Sequence, residues 1–232
     1  MKKLLLMLTL LLPIAATAST EELFGSWGTV VLSGNIKNTK ALYYLEGSAR
    51  ATDNPKSTND PGFDVHGLVG RAGLGYQFND NNKVIVGYAY QYGEPPYAGT
   101  ELNEQRAWQQ HEYKIDLANS DTLSFRSRLE ERTVDISDDT GVRFREQAKY
   151  NHKLNDKWSL IASEEFFTNV NKTNWGPKSG FDQNRGFVGV GYKFNDNYRT
   201  EVGYLNQYMN RENNYDRMAH ILSVSLYGDV FK

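Results

Sequence analysis

Two stretches of the chain are copies of one another, and they set the local geometry that much of the sequence can adopt. Gly73 to Tyr92 reads GLGYQFNDNNKVIVGYAYQY and Gly189 to Tyr208 reads GVGYKFNDNYRTEVGYLNQY, with twelve of twenty positions identical at a constant offset. In each copy an Asn-Asp pair separates two segments that alternate with period two. Asn and Asp suit tight turns because they tolerate positive φ and bond their own backbone. Each copy therefore predicts a β-hairpin. Two more hairpins of the same layout turn at Asn119-Ser120-Asp121 and at Asn155-Asp156.

Between these four short turns lie more polar connections at 52–63, 94–101, 135–141, 169–183 and 211–217. Short and long connections alternate along the chain, the asymmetry of an outer-membrane barrel with tight periplasmic turns and longer extracellular loops. The strands predicted between them are 39–51, 64–78, 83–93, 102–118, 122–134, 142–154, 157–168, 184–194, 198–210 and 218–231. Most exceed the roughly 9–11 residues that cross a bilayer at a tilt. The expected fold is all-β, an antiparallel transmembrane up-and-down β-barrel of ten strands, with twelve as the alternative. Phe24 to Gly34, which contains Trp27 and the run Thr29-Val30-Val31-Leu32, is a further extended segment. It spoils the even count expected when both termini are periplasmic.

Strand periodicity assigns the faces. Leu68, Ala72, Leu74, Tyr76 and Phe78 oppose Arg71 and Gln77; Val84, Val86, Tyr88, Tyr90 and Tyr92 oppose Lys83, Gly87 and Gln91; Val188, Val190, Tyr192 and Phe194 oppose Arg185, Gly189, Gly191 and Lys193. The apolar sets fit lipid. Tyr76, Phe78, Trp158, Phe194 and Tyr198 flank the short turns, with Tyr92 and Tyr208 at the far ends, as two aromatic girdles. The other face is charged. Its candidate lumen-lining residues are Glu46 and Arg50, Arg71, Glu104 and Arg106, Arg126, Arg128, Glu130 and Arg132, Arg143 and Arg145, Glu165, Arg185, and Arg199 with Glu201. Ten arginines stand against five glutamates in that set. Rings of Arg favour anions, so one reading is a narrow channel for anionic or polar solutes. The other is a charge-zippered plug that holds a narrow barrel shut, with function in the extracellular loops. Gln109, His111, Glu146 and His152 fall on the lipid-side face; either the register breaks there or those stretches rise above the membrane.

The N-terminus supports this compartment. Lys2 and Lys3 precede the apolar run Leu4 to Ile14, and Ala16-Thr17-Ala18 is an A-x-A cleavage site. This is the pattern of a secretory signal peptide, and its run is too short to span about 30 Å of hydrocarbon as a helix. The expected organisation is a signal peptide at 1–18, an extended segment at 19–38 and an outer-membrane barrel at 39–232 of a Gram-negative cell. The chain has no Cys and a net charge of −2, so neither disulfides nor a polyanion such as nucleic acid is indicated. Outer-membrane lipid is the expected partner. Phe231 near the C-terminus is the aromatic that the barrel-assembly machinery is expected to read.

No GxSxG elbow, phosphate-binding loop, HExxH or Cys-based metal site occurs, and no cofactor or catalytic residue is indicated. His66, His111, His152 and His220 lie on separate strands or strand ends. A membrane-embedded hydrolase is thus the weakest of three readings; it stays open because a triad is recognised by geometry rather than by order. The chain resembles the family catalogued as domain of unknown function 2490 across essentially its whole mature length. The resemblance rests on Trp27, Arg50, the GLGY and VGYAY hairpin, Glu104-Gln105-Arg106-Ala107-Trp108, Arg126 to Arg132, Arg143-Phe144-Arg145 and Glu165-Phe166-Phe167. It continues with Asn171 through Trp175-Gly176, GFDQNR at 180–185, GYLNQY at 203–208 and Arg217 to Ser223. Members of that family usually carry Glu-His-Arg where this chain has Glu104-Gln105-Arg106. The resemblance implies an outer-membrane barrel and no settled activity.

Overall fold

A computed structural model describes residues 20–53, 63–96, 98–211 and 216–231. The predicted signal peptide at 1–18 lies outside the described residues, as does most of the 52–63 connection. Eleven strands close into one barrel: β1 (Thr20–Asn35), β2 (Ala41–Asp53), β3 (Phe63–Asn79), β4 (Asn82–Gly93), β5 (Leu102–Asp116), β6 (Thr122–Val134), β7 (Ser137–Lys153), β8 (Trp158–Asn169), β9 (Gly180–Lys193), β10 (Tyr198–Met209) and β11 (Asp216–Gly228). A 3-10 turn at Ala118–Ser120 joins β5 to β6.

The all-β barrel agrees with the sequence reading, and its strand number lies between the two expected values. The segment around Phe24 to Gly34 is a full wall strand. It pairs antiparallel with β2 and parallel with β11, from Thr20 opposite Asp216 to Leu32 opposite Gly228. An even count is needed only if every neighbour is antiparallel. A parallel ladder satisfies the same backbone groups, so eleven strands close without a free edge. The two ends of the described wall consequently lie at opposite ends of the barrel. β1 also contributes to the interior: Leu23, Trp27 and Val31 are buried, while Phe24 and Val30 face outward.

Three of the short turns share one chemistry. Asn79 Oδ1 accepts the backbone N–H groups of Asn81 and Asn82, both at 3.0 Å. Asn155 Oδ1 accepts from Lys157 and Trp158 at 2.9 and 3.0 Å, and Asn195 Oδ1 from Asn197 and Tyr198 at 2.9 Å. The same side chain thus replaces the missing ladder bonds three times. At the other end one expected long connection is absent. Ser137 to Gly141 belong to β7, and Val134 opposite Ser137 leaves only two residues to turn. Strand pairing continues there because the 170–179 segment packs on it. Trp175 Nε1 donates to Asp139 O at 2.9 Å, Asn174 N to Asp139 Oδ2 at 2.8 Å, and Asn171 Oδ1 accepts Val142 N at 2.7 Å.

The repeated hairpins serve the barrel wall. Gly73 faces Gly87 across β3 and β4, and Gly189 faces Gly203 across β9 and β10. Each inward-facing glycine pair is a bed for one aromatic ring. A Cβ on Gly87 would lie 2.6 Å from the Trp108 indole, and one on Gly203 would lie 2.9 Å from the Phe187 ring. Outward, the alternation is apolar: Leu45, Leu74, Val86, Leu160, Val188, Val224 and Leu222 are exposed around the wall. Tyr76, Phe78, Tyr113, Trp158, Phe194 and Tyr198 are exposed toward the short turns. Register is unbroken at Gln109, His111 and Glu146, so these side chains do point outward with the apolar set.

Two predictions follow from these contacts. Gly87→Val is expected to cost about 1–3 kcal/mol through overpacking against Trp108. Gly47→Ala, with nothing within 4 Å of its Cβ, is expected to change stability by less than about 0.5 kcal/mol. Urea midpoints of the folded protein in detergent compare the two. At the β5–β6 turn, Asp121 accepts the Tyr150 hydroxyl at 2.5 Å and lies 3.0 Å from His152 Nδ1. The Tyr150 bond first, then the His152 contact, holds the Asp121 carboxyl below its ordinary value. A carboxyl depressed on folding adds stability above its unfolded pKa of about 3.9 and loses it as pH falls through the folded value. Asp121→Asn should therefore lower the urea midpoint at pH 7, and the difference from the parent should shrink steadily below about pH 4. A difference that stays constant with pH would count against the carboxylate.

Candidate functional site

Even-numbered residues of β5 and β6 and odd-numbered residues of β7, β8 and β9 point into the barrel, which brings the rows of charge from separate strands into one layer. Glu104 receives Arg106 as a fork, Nε to Oε1 and Nη2 to Oε2, both at 2.8 Å. Arg132 binds the same carboxylate through its own Nε and Nη2. Glu130 receives Arg143 Nη2 at 2.6 Å and Arg145 Nη1 at 2.7 Å, with Arg128 and Arg106 at 3.8 and 4.0 Å. Glu165 takes Arg145 Nη2 and Arg126 Nη2, each at 2.7 Å. Glu46 binds Arg71 and accepts the Tyr44 hydroxyl at 2.5 Å. Toward the short turns, Lys149 Nζ holds both oxygens of Glu201 at 2.6 and 2.7 Å, and Lys83 pairs with Glu112 at 2.8 Å.

Aromatic rings supply the remaining contacts. Arg185 lies between Trp27 and Phe167, 4.9 and 4.6 Å from their centroids. Arg50 lies 4.4 Å from Trp27, Arg145 4.4 Å from Phe167, and Arg128 4.8 Å from Trp108. Guanidinium groups stack well on such faces and are more weakly hydrated than ammonium groups. Glu130 and Arg128 are each only 1% exposed, so water does not carry these charges; their partners do.

Two of the interior cavities border the charged layer. One, of about 220 Å³, faces the long connections, and the other, of about 420 Å³, faces the short turns. Arg50, Arg71, Arg145 and Arg185 line both and form the layer at which they meet. The first cavity is lined by nine Lys and Arg residues and by two carboxylates, Glu104 and Asp182. Glu46, Glu130 and Glu165 do not line it, although their partners Arg71, Arg143 and Arg145 do. The carboxylates thus sit behind the guanidinium groups they hold.

The fifteen candidate lumen residues named from sequence all face the interior except at one rim. Arg199, with a side chain 53% exposed, lies at the short-turn mouth 4.2 Å from the Tyr227 ring and 3.7 Å from Glu201. Periodicity missed Asp182, because a bulge between Phe167 and Thr168 shifts the β8–β9 register there. It also missed Trp175, Lys178 and Arg211, which come from connections and carry no strand signal. The histidines stay apart. His66 meets Glu94 at 3.2 Å, His111 meets Asn82 at 3.1 Å, His152 meets Asp121, and His220 meets Tyr204 at 2.6 Å. Among the described residues no three His, Asp or Glu side chains gather as metal ligands would.

Removing one partner of a buried pair leaves the other charge uncompensated, at a cost of about 3–5 kcal/mol. Glu130→Ala is expected in that range, measured as the shift of the urea midpoint. Glu201→Ala, whose partner Lys149 is nearer the short-turn mouth and more exposed, should cost less.

A family model described as protein of unknown function (DUF2490) matches residues 24–219. An uncharacterized protein of Methylorubrum extorquens is 27% identical over 230 residues, covering 97% of this chain and 96% of that protein. The family match runs from the outward Phe24 of the closing strand to the buried Ala219 of β11, and so takes in the arginine–glutamate interior from end to end. The chain belongs to the DUF2490 family of proteins of unknown function.

Proposed function

We propose that this protein is an outer-membrane β-barrel that is closed to free ion flow and acts as a binding barrel at its long-connection end. The carrying observation is its inverted polarity: the charged side chains are inside and paired, while large apolar side chains such as Leu74, Val86 and Leu222 are more than half exposed outside. Water-soluble proteins seldom expose apolar patches beyond a few hundred Å², whereas a lipid-facing wall requires them. The aromatic side chains toward the short turns fit a headgroup girdle, and the secretory signal read from Met1 to Ala18 fits the compartment. Phe231, which packs edge-on against Tyr43 with centroids 4.9 Å apart, remains 54% exposed and accessible as the C-terminal aromatic for assembly machinery.

Closure is favoured by the middle layer. Four arginines, two aromatic rings and their carboxylate partners occupy the cross-section between the two cavities. The second reading is the narrow channel for anionic or polar solutes, and the cation excess of the mouth cavity favours it. Purified protein reconstituted in planar bilayers separates the two. We expect a heat-dependent shift on a denaturing gel together with negligible steady conductance. A steady anion-selective conductance would replace the closed barrel by the channel, and a protein that stays soluble without detergent would remove the membrane reading altogether.

A further inference from the structure

The cavity at the long-connection end has the makings of a binding site, and its chemistry is specific. Its cations are held in place before any ligand arrives. Glu104 fixes Arg106 and Arg132, Glu130 fixes Arg143 and Arg145, and Glu46 fixes Arg71. A guanidinium already immobilised loses little side-chain entropy when it binds an anion. Since Glu46, Glu130 and Glu165 lie behind their arginines and do not line the cavity, the surface turned to it is positive. Nine cations face two carboxylates there.

Three buried or half-buried polar atoms of the lining have no hydrogen-bond partner among the described residues: Arg71 Nε, Arg185 Nε and Asn169 Oδ1. Arg71 and Asn169 are 7% and 3% exposed, and a buried polar group left unmatched is costly. Two of these atoms are donors and one is an acceptor. An oxyanion accepts from the donors, but a bare oxyanion offers nothing to Asn169 Oδ1. A hydroxyl does. The side-chain amides of Gln91, Gln183 and Gln207 add further hydroxyl partners along the same lining. The volume, about 220 Å³, suits a small molecule and not a polymer.

The geometry points to a site for a small polyhydroxylated oxyanion, a sugar acid or a sugar phosphate in size and chemistry. This rests on the closed-barrel reading, in which such a ligand is retained at the mouth instead of passing through. The test is calorimetric titration of the full detergent-solubilised protein at low salt with four probes: gluconate, glucose 6-phosphate, glucose and inorganic phosphate. The expected result is binding of gluconate, glucose 6-phosphate or both at least tenfold tighter than glucose and inorganic phosphate. The preferred one of the two identifies the anionic group as carboxylate or phosphate. Arg185→Gln should weaken that binding about tenfold. Asn169→Ala should bring the polyol anion closer to inorganic phosphate in affinity. The heat-dependent gel shift verifies that each variant is folded, and if one is not, the four-probe comparison on the parent protein decides alone. Absence of binding by both polyol anions, or glucose or inorganic phosphate binding within tenfold of the tighter polyol anion, would each overturn the proposal. So would folded variants that bind like the parent. Planar-bilayer conductance is measured separately: a conducting barrel that binds the polyol anions defeats closure and leaves the site, while a silent barrel that binds none does the reverse.

Discussion

Guanidinium groups inside a narrow barrel must find partners in the barrel itself, and the rest of the interior is arranged by that requirement. Ten arginines of the lumen set cannot all be hydrated where Arg128 and Glu130 are nearly inaccessible. Desolvating each ion costs several kcal/mol unless geometry and hydrogen bonds return it. Sharing is the solution adopted. Glu130 serves Arg143 and Arg145, Glu165 serves Arg145 and Arg126, and Glu104 serves Arg106 and Arg132. Five carboxylates can stabilise more than five guanidinium groups because each carboxylate has about four lone-pair positions. The cations left in excess turn to aromatic faces, as Arg185 does between Trp27 and Phe167.

That arrangement places demands on the wall. The aromatic rings occupy space in an interior already crowded by long side chains, and the wall must recede to admit them. Gly73 with Gly87, and Gly189 with Gly203, do this on opposite parts of the sheet. The internal repeat therefore has a packing reason on its inner face and a turn reason at its Asn-Asp end. Closure has a similar dependence. Without β1 the interior would lose Trp27, on which both Arg50 and Arg185 rest. The parallel seam with β11 is what brings this strand into the wall and removes the last unpaired edge.

Much of this was legible in the sequence because a strand shows its two faces with period two. Arg126, Arg128, Glu130 and Arg132 fall on one side by counting alone, and they do face inward. The Asn-Asp turns were legible for the same reason: the side chain that makes the turn is local to it. What lay outside counting was the register between neighbouring strands, which sets Glu130 opposite Arg143 and Gly87 opposite Trp108. Nothing in the order of residues states that Glu130 lies with Arg143 and Arg145, or that Trp108 crosses Gly87. Two features of the wall have the same origin. Residues 135–141 looked like a loop because Asp138, Asp139 and Gly141 are poor strand formers, yet from another connection Trp175 and Asn171 bind that backbone and Asn174 binds the Asp139 carboxylate. Eleven strands fall within the expected ten to twelve; the odd number lies outside counting because evenness follows from antiparallel pairing, and the parallel ladder of β1 with β11 is a long-range choice.

The parallel seam also constrains how the two mouths can differ. With an even barrel the described wall would begin and end at one rim. Here β1 begins beside Asp216 at the long-connection rim, and β11 ends beside Leu32 at the short-turn rim. Each rim therefore gains one strand end. At the long-connection rim Glu21 at the start of β1 pairs with Arg217 of β11 at 2.8 Å. At the short-turn rim residues 229–231 cross to β2, where Val230 N donates to the Tyr43 hydroxyl at 2.8 Å. The seam is thus tied at one rim by a side-chain pair between its own strands and at the other by the continuation of β11, which reaches past β1 to β2. A wall fixed at both rims resists widening, and widening is what an interior of shared carboxylates could least tolerate. A carboxylate held between two guanidinium groups cannot follow one without abandoning the other.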